Sequence, residues 1–268
     1  MPPPSGGDRE RPLHLLAAVR FLTVVPVPFG RAASRESVGR SLAWFPLVGL
    51  GLGLALVGID QGLERVLPDA PRAWLVVLAL AALSGGMHLD GLADSADGLL
   101  GAGGRSPEER LAIMRDARVG AYGALALIDV LFLKWSALVS LPHDLRAEAL
   151  LLAPCLGRAT IAFGAWAFPY ARPAGLGLAV HQASGRTALV VAGAVALAAA
   201  GALLGCGGLV IAVAVMATAL AIGAWAARRL GGVTGDVHGA LVEVSEAVTL
   251  VLIAAGAQRG WLEPLLLG

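Results

Sequence analysis

The chain has 268 residues, of which 57% are apolar and 15% charged, against about 25% charged in an ordinary soluble domain. That composition excludes a water-soluble globular protein, and 36 glycines with only 5% aromatics suit helices packed closely in lipid. A net charge of +1 excludes a broad basic field, so no nucleic acid partner is expected and anion binding must come from locally placed arginines.

In chain order, Met1–Arg11 is proline, glycine and charge, without the layout of a secretory signal, and reads as a flexible tail. Pro12–Phe29 is apolar but interrupted by Arg20, Pro26 and Pro28, which predicts a segment lying at the interface or re-entering part way. Seven stretches are long and apolar enough to cross a bilayer: Leu42–Ile59, Ala73–Leu89, Ala121–Leu141, Ala149–Phe168, Thr187–Leu204, Leu209–Ala227 and Ala240–Ala257. Only Gly205, Cys206, Gly207 and Gly208 divide the fifth from the sixth, which predicts a tight glycine turn. No polar linker interrupts the series. Residues 1–268 therefore read as one all-α integral-membrane domain, a polytopic bundle of about seven transmembrane helices in the lipid bilayer.

Seven spans put the N-terminus and the second, fourth and sixth loops on one face, with 14 basic residues that include Arg31, Arg35 and Arg40. The other face has 4: Arg65, Arg72, Arg146 and Arg259. Positive loops stay in the cytoplasm, so the N-terminus is expected inside. Cys155 and Cys206 lie in apolar stretches with no metal-ligand or CxxC spacing and read as packing residues.

The longest polar stretch, Ser84–Gly123, reads SGGMHLDGLADSADGLLGAGGRSPEERLAIMRDARVGAYG. Asp90, Asp94 and Asp97 fall at i, i+4 and i+7, one face of a helix. Three like charges on one stripe repel unless cations sit between them, and carboxylates with small neighbours suit Mg²⁺, which shares its shell with water and substrate phosphates. Downstream, Arg115 and Arg118 are spaced to face one site and offer cations for a pyrophosphate, with Asp116 between them. Arg110 reads equally well as part of a solvated helix with Glu108 and Glu109.

A second cluster on the same face, GGVTGDVHGALVEVSE at Gly231–Glu246, offers backbone N–H groups near Thr234 and Gly235, a carboxylate at Asp236, and Glu243 and Glu246 entering the last span. Asp236 could equally cap that helix. His88 and His238 each stand two residues from a motif acid, as site residues or as surface or capping groups. Asp129, Lys134 and Arg158 within spans are expected to neutralise one another.

Together these segments resemble the cobalamin synthase (adenosylcobinamide-GDP ribazoletransferase) family over nearly the whole chain. The matching stretches are RFLTVVPVP at Arg20–Pro28, WFPLVGLGLG at Trp44–Gly53, GGMHLDGLADSADGLLG at Gly85–Gly101, RLAIMRDARVGAYG at Arg110–Gly123, APCLGR at Ala153–Arg158 and GGVTGDVHGA at Gly231–Ala240. The resemblance implies a bacterial inner-membrane transferase, working at the cytoplasmic face, that joins adenosylcobinamide-GDP to α-ribazole or its 5′-phosphate and releases GMP. It implies Mg²⁺ as cofactor, held by Asp90, Asp94, Asp97 and Asp236. The implied substrate contacts are His88, Arg115, Arg118, Arg158, Thr234 and Gly235, with Asp90 and Asp94 catalytic and Asp116 or Glu243 taking the hydroxyl proton. Other enzymes of nucleotide-loop assembly, or a second copy of the chain, are candidate partners. Two rival readings remain: a CDP-alcohol phosphotransferase, whose DG-x-x-A-R opening is broken here by Asp94, and an ion-coupled transporter using Asp129, Lys134 and Arg158 as a relay.

Overall fold

A computed structural model describes residues 7–27, 41–173, 176–182 and 184–262. Its elements are α1 (Gly7–Leu22), a single 3₁₀ turn (Leu42–Trp44), α2 (Phe45–Glu64), α3 (Asp69–Leu83), α4 (Met87–Leu99), α5 (Pro107–Ile113), α6 (Ala121–Ser140), α7 (His143–Ala167), α8 (Leu176–Gln182), α9 (Arg186–Leu230) and α10 (Gly235–Gln258). The all-α membrane bundle expected from composition is what is found. The described part of the predicted tail, residues 7–11, is helical. Pro28 and Phe29 of the interrupted segment, and the basic residues Arg31, Arg35 and Arg40, lie outside the described residues.

Among the described residues, five helices are long and apolar enough to cross a membrane, and a sixth crossing arises if α3 and α4 form one broken span. The 45-residue α9 is two helices: its ladder breaks at Leu204 and Gly205, where Gly205 takes φ +56. A Cβ on Gly208 would strike the Ala200 carbonyl oxygen, and one on Gly201 would touch Leu209. Residues eight apart lie about 12 Å apart along a straight helix, so the chain reverses here, as the glycine turn predicts. Counting α9 as two crossings gives six among the described residues, and seven if α3 and α4 form one broken span. Cys206 on this turn is exposed, which corrects its reading as a packing residue, whereas Cys155 is buried.

The second predicted span is corrected. It was expected to run on to Leu89, but α3 stops at Leu83 and α4 leaves at 90°. Gly85 and Gly86 sit at φ +65 and +70, a conformation that costs glycine nothing and ends the helix ladder.

At the centre stands α7, 83% buried over its apolar window, against 28% for α6. It meets α2 without intervening side chains: a Cβ on Gly53 would lie 2.6 Å from the Leu150 carbonyl, and one on Gly49 would lie 2.7 Å from the Cys155 Cα. Glycines four apart on one face let backbones touch where lipid offers no hydrophobic drive.

Contacts at the two ends sort the loops as the basic residues did. At one end Arg146 bonds Asp60, Arg72 bonds Glu64 and Asp69, and the Trp135 indole donates to the Ala70 carbonyl. At the other end the segments after α3, α5, α7 and α9 converge: Gly120 N–H reaches Asp97, Ala171 N–H reaches the Val233 carbonyl, and Arg229 reaches the Leu99 carbonyl.

Candidate active site

The convergent end holds the acidic motif, which is helical as expected. Asp90 is exposed, and Asp94 and Asp97 are half-buried. Across from them α10 begins with Thr234 as its cap, the hydroxyl accepting from Val237 N–H at 3.2 Å. Asp236 is therefore not the cap. It stands in the first helical turn, bonded by the Arg172 guanidinium at 2.6 Å and by the Thr234 hydroxyl at 3.3 Å.

Two glycines bring these helices together. A Cβ on Gly91 would lie 2.7 Å from the Asp236 carbonyl oxygen, and one on Gly239 would lie 3.1 Å from the His88 carbonyl oxygen. Because α4 and α10 cross backbone to backbone, Asp90 and Asp94 come up beside Asp236. The charges acting on Asp94 are then those of Asp236, Asp90 and Asp97, opposed by Arg172 alone. Such a row repels itself and draws a cation or a cation-bearing substrate. It is an open row: among the described residues no three acidic, histidine or cysteine side chains close up into a metal cage.

Asp97 does other work. Its two carboxylate oxygens accept from Gly120 N–H at 2.7 Å and Gly123 N–H at 2.9 Å, capping the positive N-terminal end of α6 from outside the helix. Of the four acids expected to hold a metal, Asp97 is the one whose carboxylate accepts from backbone N–H groups of another helix.

Beside the row is a 210 Å³ cavity lined by Phe21, Met87, His88, Asp90, Ile161, Asp236 and His238, with Gly177, Gly235 and Gly239. His88 and His238 are 3% and 6% exposed. The His238 ring lies 5.8 Å from that of His181 and tilted against it, and His181 lies 5.2 Å from the Tyr170 ring and hydrogen-bonds the Phe168 carbonyl through Nε2 at 2.6 Å. Partial burial lowers the proton affinity of His181 and raises that of the Tyr170 phenol.

Several expected site residues lie elsewhere. Arg158 is 1% exposed and is spent on Glu246 and on the Ser84 hydroxyl at 2.8 Å, which corrects its reading as a phosphate clamp. Glu243, expected as a candidate base, is buried against Lys134 at 2.6 Å, and Lys134 also bonds Glu246. Asp129 is exposed on α6, so the trio expected to neutralise itself does not assemble; Glu243 and Glu246 supply the counter-charge instead. Asp116, the other candidate base, is held by Arg118 through bonds of 2.6 and 3.0 Å, which pull its carboxyl down to about 2 and make it a weak base. The Arg118 side chain is 88% exposed and Arg115 is exposed. Arg110 is buried and closes the C-terminus of α4 through the Gly98 and Leu99 carbonyls at 3.0 and 3.1 Å.

Sequence reasoning missed Arg172, Tyr170 and His181. Only their place in the fourth loop, on the face of the acidic motif, could have signalled them.

The model of a family described as cobalamin-5-phosphate synthase matches residues 14–254. The adenosylcobinamide-GDP ribazoletransferase of Roseiflexus sp. (strain RS-1) is 40% identical over 240 residues, which is 90% of this chain and 88% of that one. Proteins of the same name from Geotalea daltonii and Pseudomonas aeruginosa (strain UCBPP-PA14) are each 40% identical, covering 89% and 92% of this chain and 95% and 99% of their own. No solved structure matches.

Proposed function

The chain belongs to the cobalamin-5-phosphate synthase family, and from that premise we propose that it joins adenosylcobinamide-GDP to α-ribazole, or to its 5′-phosphate, and releases GMP. The observation that carries the reading is the row of Asp90, Asp94 and Asp236 on the rim of a cavity, with Arg172 as its positive partner. Diphosphate chemistry needs charge control at the bridging oxygen more than it needs a covalent nucleophile.

The donor set fits Mg²⁺, which takes carboxylate oxygens, keeps water and completes its shell with phosphate, so an open row suits it better than a closed cage. Asp90, Asp94 and Asp236 would hold the ion, which when bound neutralises charge on the pyrophosphate and on the departing GMP. The chain's own groups do the rest. Arg172 holds Asp236 in place and is within reach of a phosphate that displaces that contact. A ribose hydroxyl that is free in both α-ribazole and its 5′-phosphate forms a bond to the phosphorus bearing the cobinamide arm as the bond from that phosphorus to the departing GMP oxygen breaks. Of the acids, Asp90 and Asp236 line the cavity and are at hand for the hydroxyl proton. The arginines of the converging loops, by the rule that positive loops stay inside, support a cytoplasmic active site in a bacterial inner membrane.

The test is GMP release by the purified protein in lipid, with both substrates, with and without Mg²⁺. Wild type should release GMP only when Mg²⁺ and α-ribazole are both present, and Asp94→Asn should lose at least 10²-fold, about 2.7 kcal/mol of transition-state stabilisation. A folded wild type that releases none sinks the assignment.

A further inference from the structure

We propose that the outward face of α6 is a docking surface for a transmembrane helix of another membrane protein, one that carries a lysine or arginine near mid-bilayer to meet Asp129. The starting point is a charge in an unusual place. Asp129 stands near the middle of the 20-residue α6, about 12 Å of rise from Ala121 and about 16 Å from Ser140. The hydrocarbon core of a bilayer is about 30 Å thick, so this carboxylate lies close to its midplane. It is exposed, and among the described residues no hydrogen bond or ion pair engages it. Lys134, Arg158, Glu243 and Glu246, by contrast, are buried and bonded to one another. Charged side chains inside a membrane almost always face the bundle interior and pair. Asp129 does neither, which marks a face that another chain covers.

The rest of that face is shaped for a helix. Tyr122, Leu125, Asp129, Phe132, Ser136 and Val139 follow one another at steps of three and four, the repeat by which helices pack side by side along their length. Leu125 and Phe132, which flank the aspartate, are 56% and 59% exposed, and α6 is the least buried of the five long apolar helices. One polar residue in such a stripe fixes the register of the pair. The charge then selects the partner. A second copy, related by a two-fold axis along the membrane normal, would bring its own Asp129 to the same depth, acid against acid. No other face of the chain supplies the cation. Lys134 and Arg158 are 3% and 1% exposed, and the exposed arginines among the described residues stand at helix ends or in loops. The complement is therefore a basic side chain on the span of a different protein. Because Gly120 and Gly123 at the start of α6 bind Asp97 of α4, a helix docked here reaches the end of the bundle that holds the acidic row.

The experiment uses energy transfer in proteoliposomes, with the donor dye on Cys206 of the full chain, which is exposed while Cys155 is buried. The acceptor is a synthetic leucine-rich helix of about 20 residues with one central lysine. Transfer should reach half-maximum at about a tenfold lower peptide-to-lipid ratio for this helix than for an all-leucine helix, or for one whose lysine sits near its end. Asp129→Leu and Asp129→Asn should both erase that preference, and Asp129→Glu should keep it. Phe132→Ala should weaken binding of every probe helix while leaving the preference for lysine. The melting temperature and GMP release of the Asp129 variants should match wild type, since the side chain touches neither the core nor the acidic row. Equal transfer to the lysine and leucine helices, or a lysine preference that survives Asp129→Leu, overturns the proposal. So does transfer between donor- and acceptor-labelled copies of the chain that disappears in Asp129→Leu, because the second copy would then be the occupant.

Discussion

The crossing of α4 and α10 sets the spacing of the acidic row, and Gly91→Ala tests this directly. The added methyl would sit 2.7 Å from the Asp236 carbonyl oxygen and 2.9 Å from its Cα, where ordinary contact begins at 3.4 Å. Both obstacles are backbone, so no rotamer relieves them and the helices must part by about 0.7 Å. That parting moves Asp236 away from Asp90 and Asp94. Overpacking of this size costs about 1–3 kcal/mol, and a misplacement near 1 Å at a reacting centre costs about 10²-fold in rate. Gly239→Ala meets the His88 carbonyl at 3.1 Å, a smaller intrusion, and should cost less on both counts. Gly58→Ala on α2 meets nothing within 4 Å and serves as the control. GMP release and thermal unfolding in lipid nanodiscs read both effects. A wild-type rate and melting temperature for Gly91→Ala, or a loss for Gly239→Ala larger than for Gly91→Ala, refutes the claim that this crossing positions the site.

Asp97→Ala should destabilise by about 2 kcal/mol, two charge-assisted bonds discounted for partial exposure, with Asn recovering part of that because it keeps one acceptor. The Mg²⁺ concentration giving half-maximal GMP release should not change; a tenfold rise in Asp97→Asn without loss of stability would make Asp97 a ligand instead of a cap. Lys134→Met strips Glu243 of its counter-charge inside the bundle, and breaking such a pair costs about 3–5 kcal/mol. The variant should be recovered poorly and melt early in thermal size-exclusion, and an unshifted melting temperature would show that the network is not structural.

The sequence made the helices legible because hydropathy reports which side chains lipid tolerates. It could not report the break at Gly85–Gly86, since apolar residues continue beyond it as Met87 and Leu89. The break is a backbone event, written in two positive φ angles. Its consequence is large: α4 turns across the mouth of the bundle and carries Asp90 and Asp94 to the opening of α10 and Asp97 to that of α6. The helix-capping glycine signal was present in the sequence, but a hydropathy window averages over it.

The same limit explains why the site was only half legible. Asp236 and Glu243 are seven residues apart, so helical periodicity puts them on one face. Yet seven residues are also about 10.5 Å of rise, enough to carry Glu243 from the polar mouth to a depth where 5% of it is exposed. At that depth an unpaired carboxylate is costly, and Lys134 and Arg158, which stand at matching depths on α6 and α7, are consumed in neutralising Glu243 and Glu246. Arg158 in turn holds the Ser84 hydroxyl at the end of α3, immediately before the glycine bend. The interior charges therefore act on the reaction through geometry: they fix the point from which α4 departs, and α4 fixes the acids. Periodicity finds the face, but depth decides which acids on that face meet substrate and which hold the scaffold.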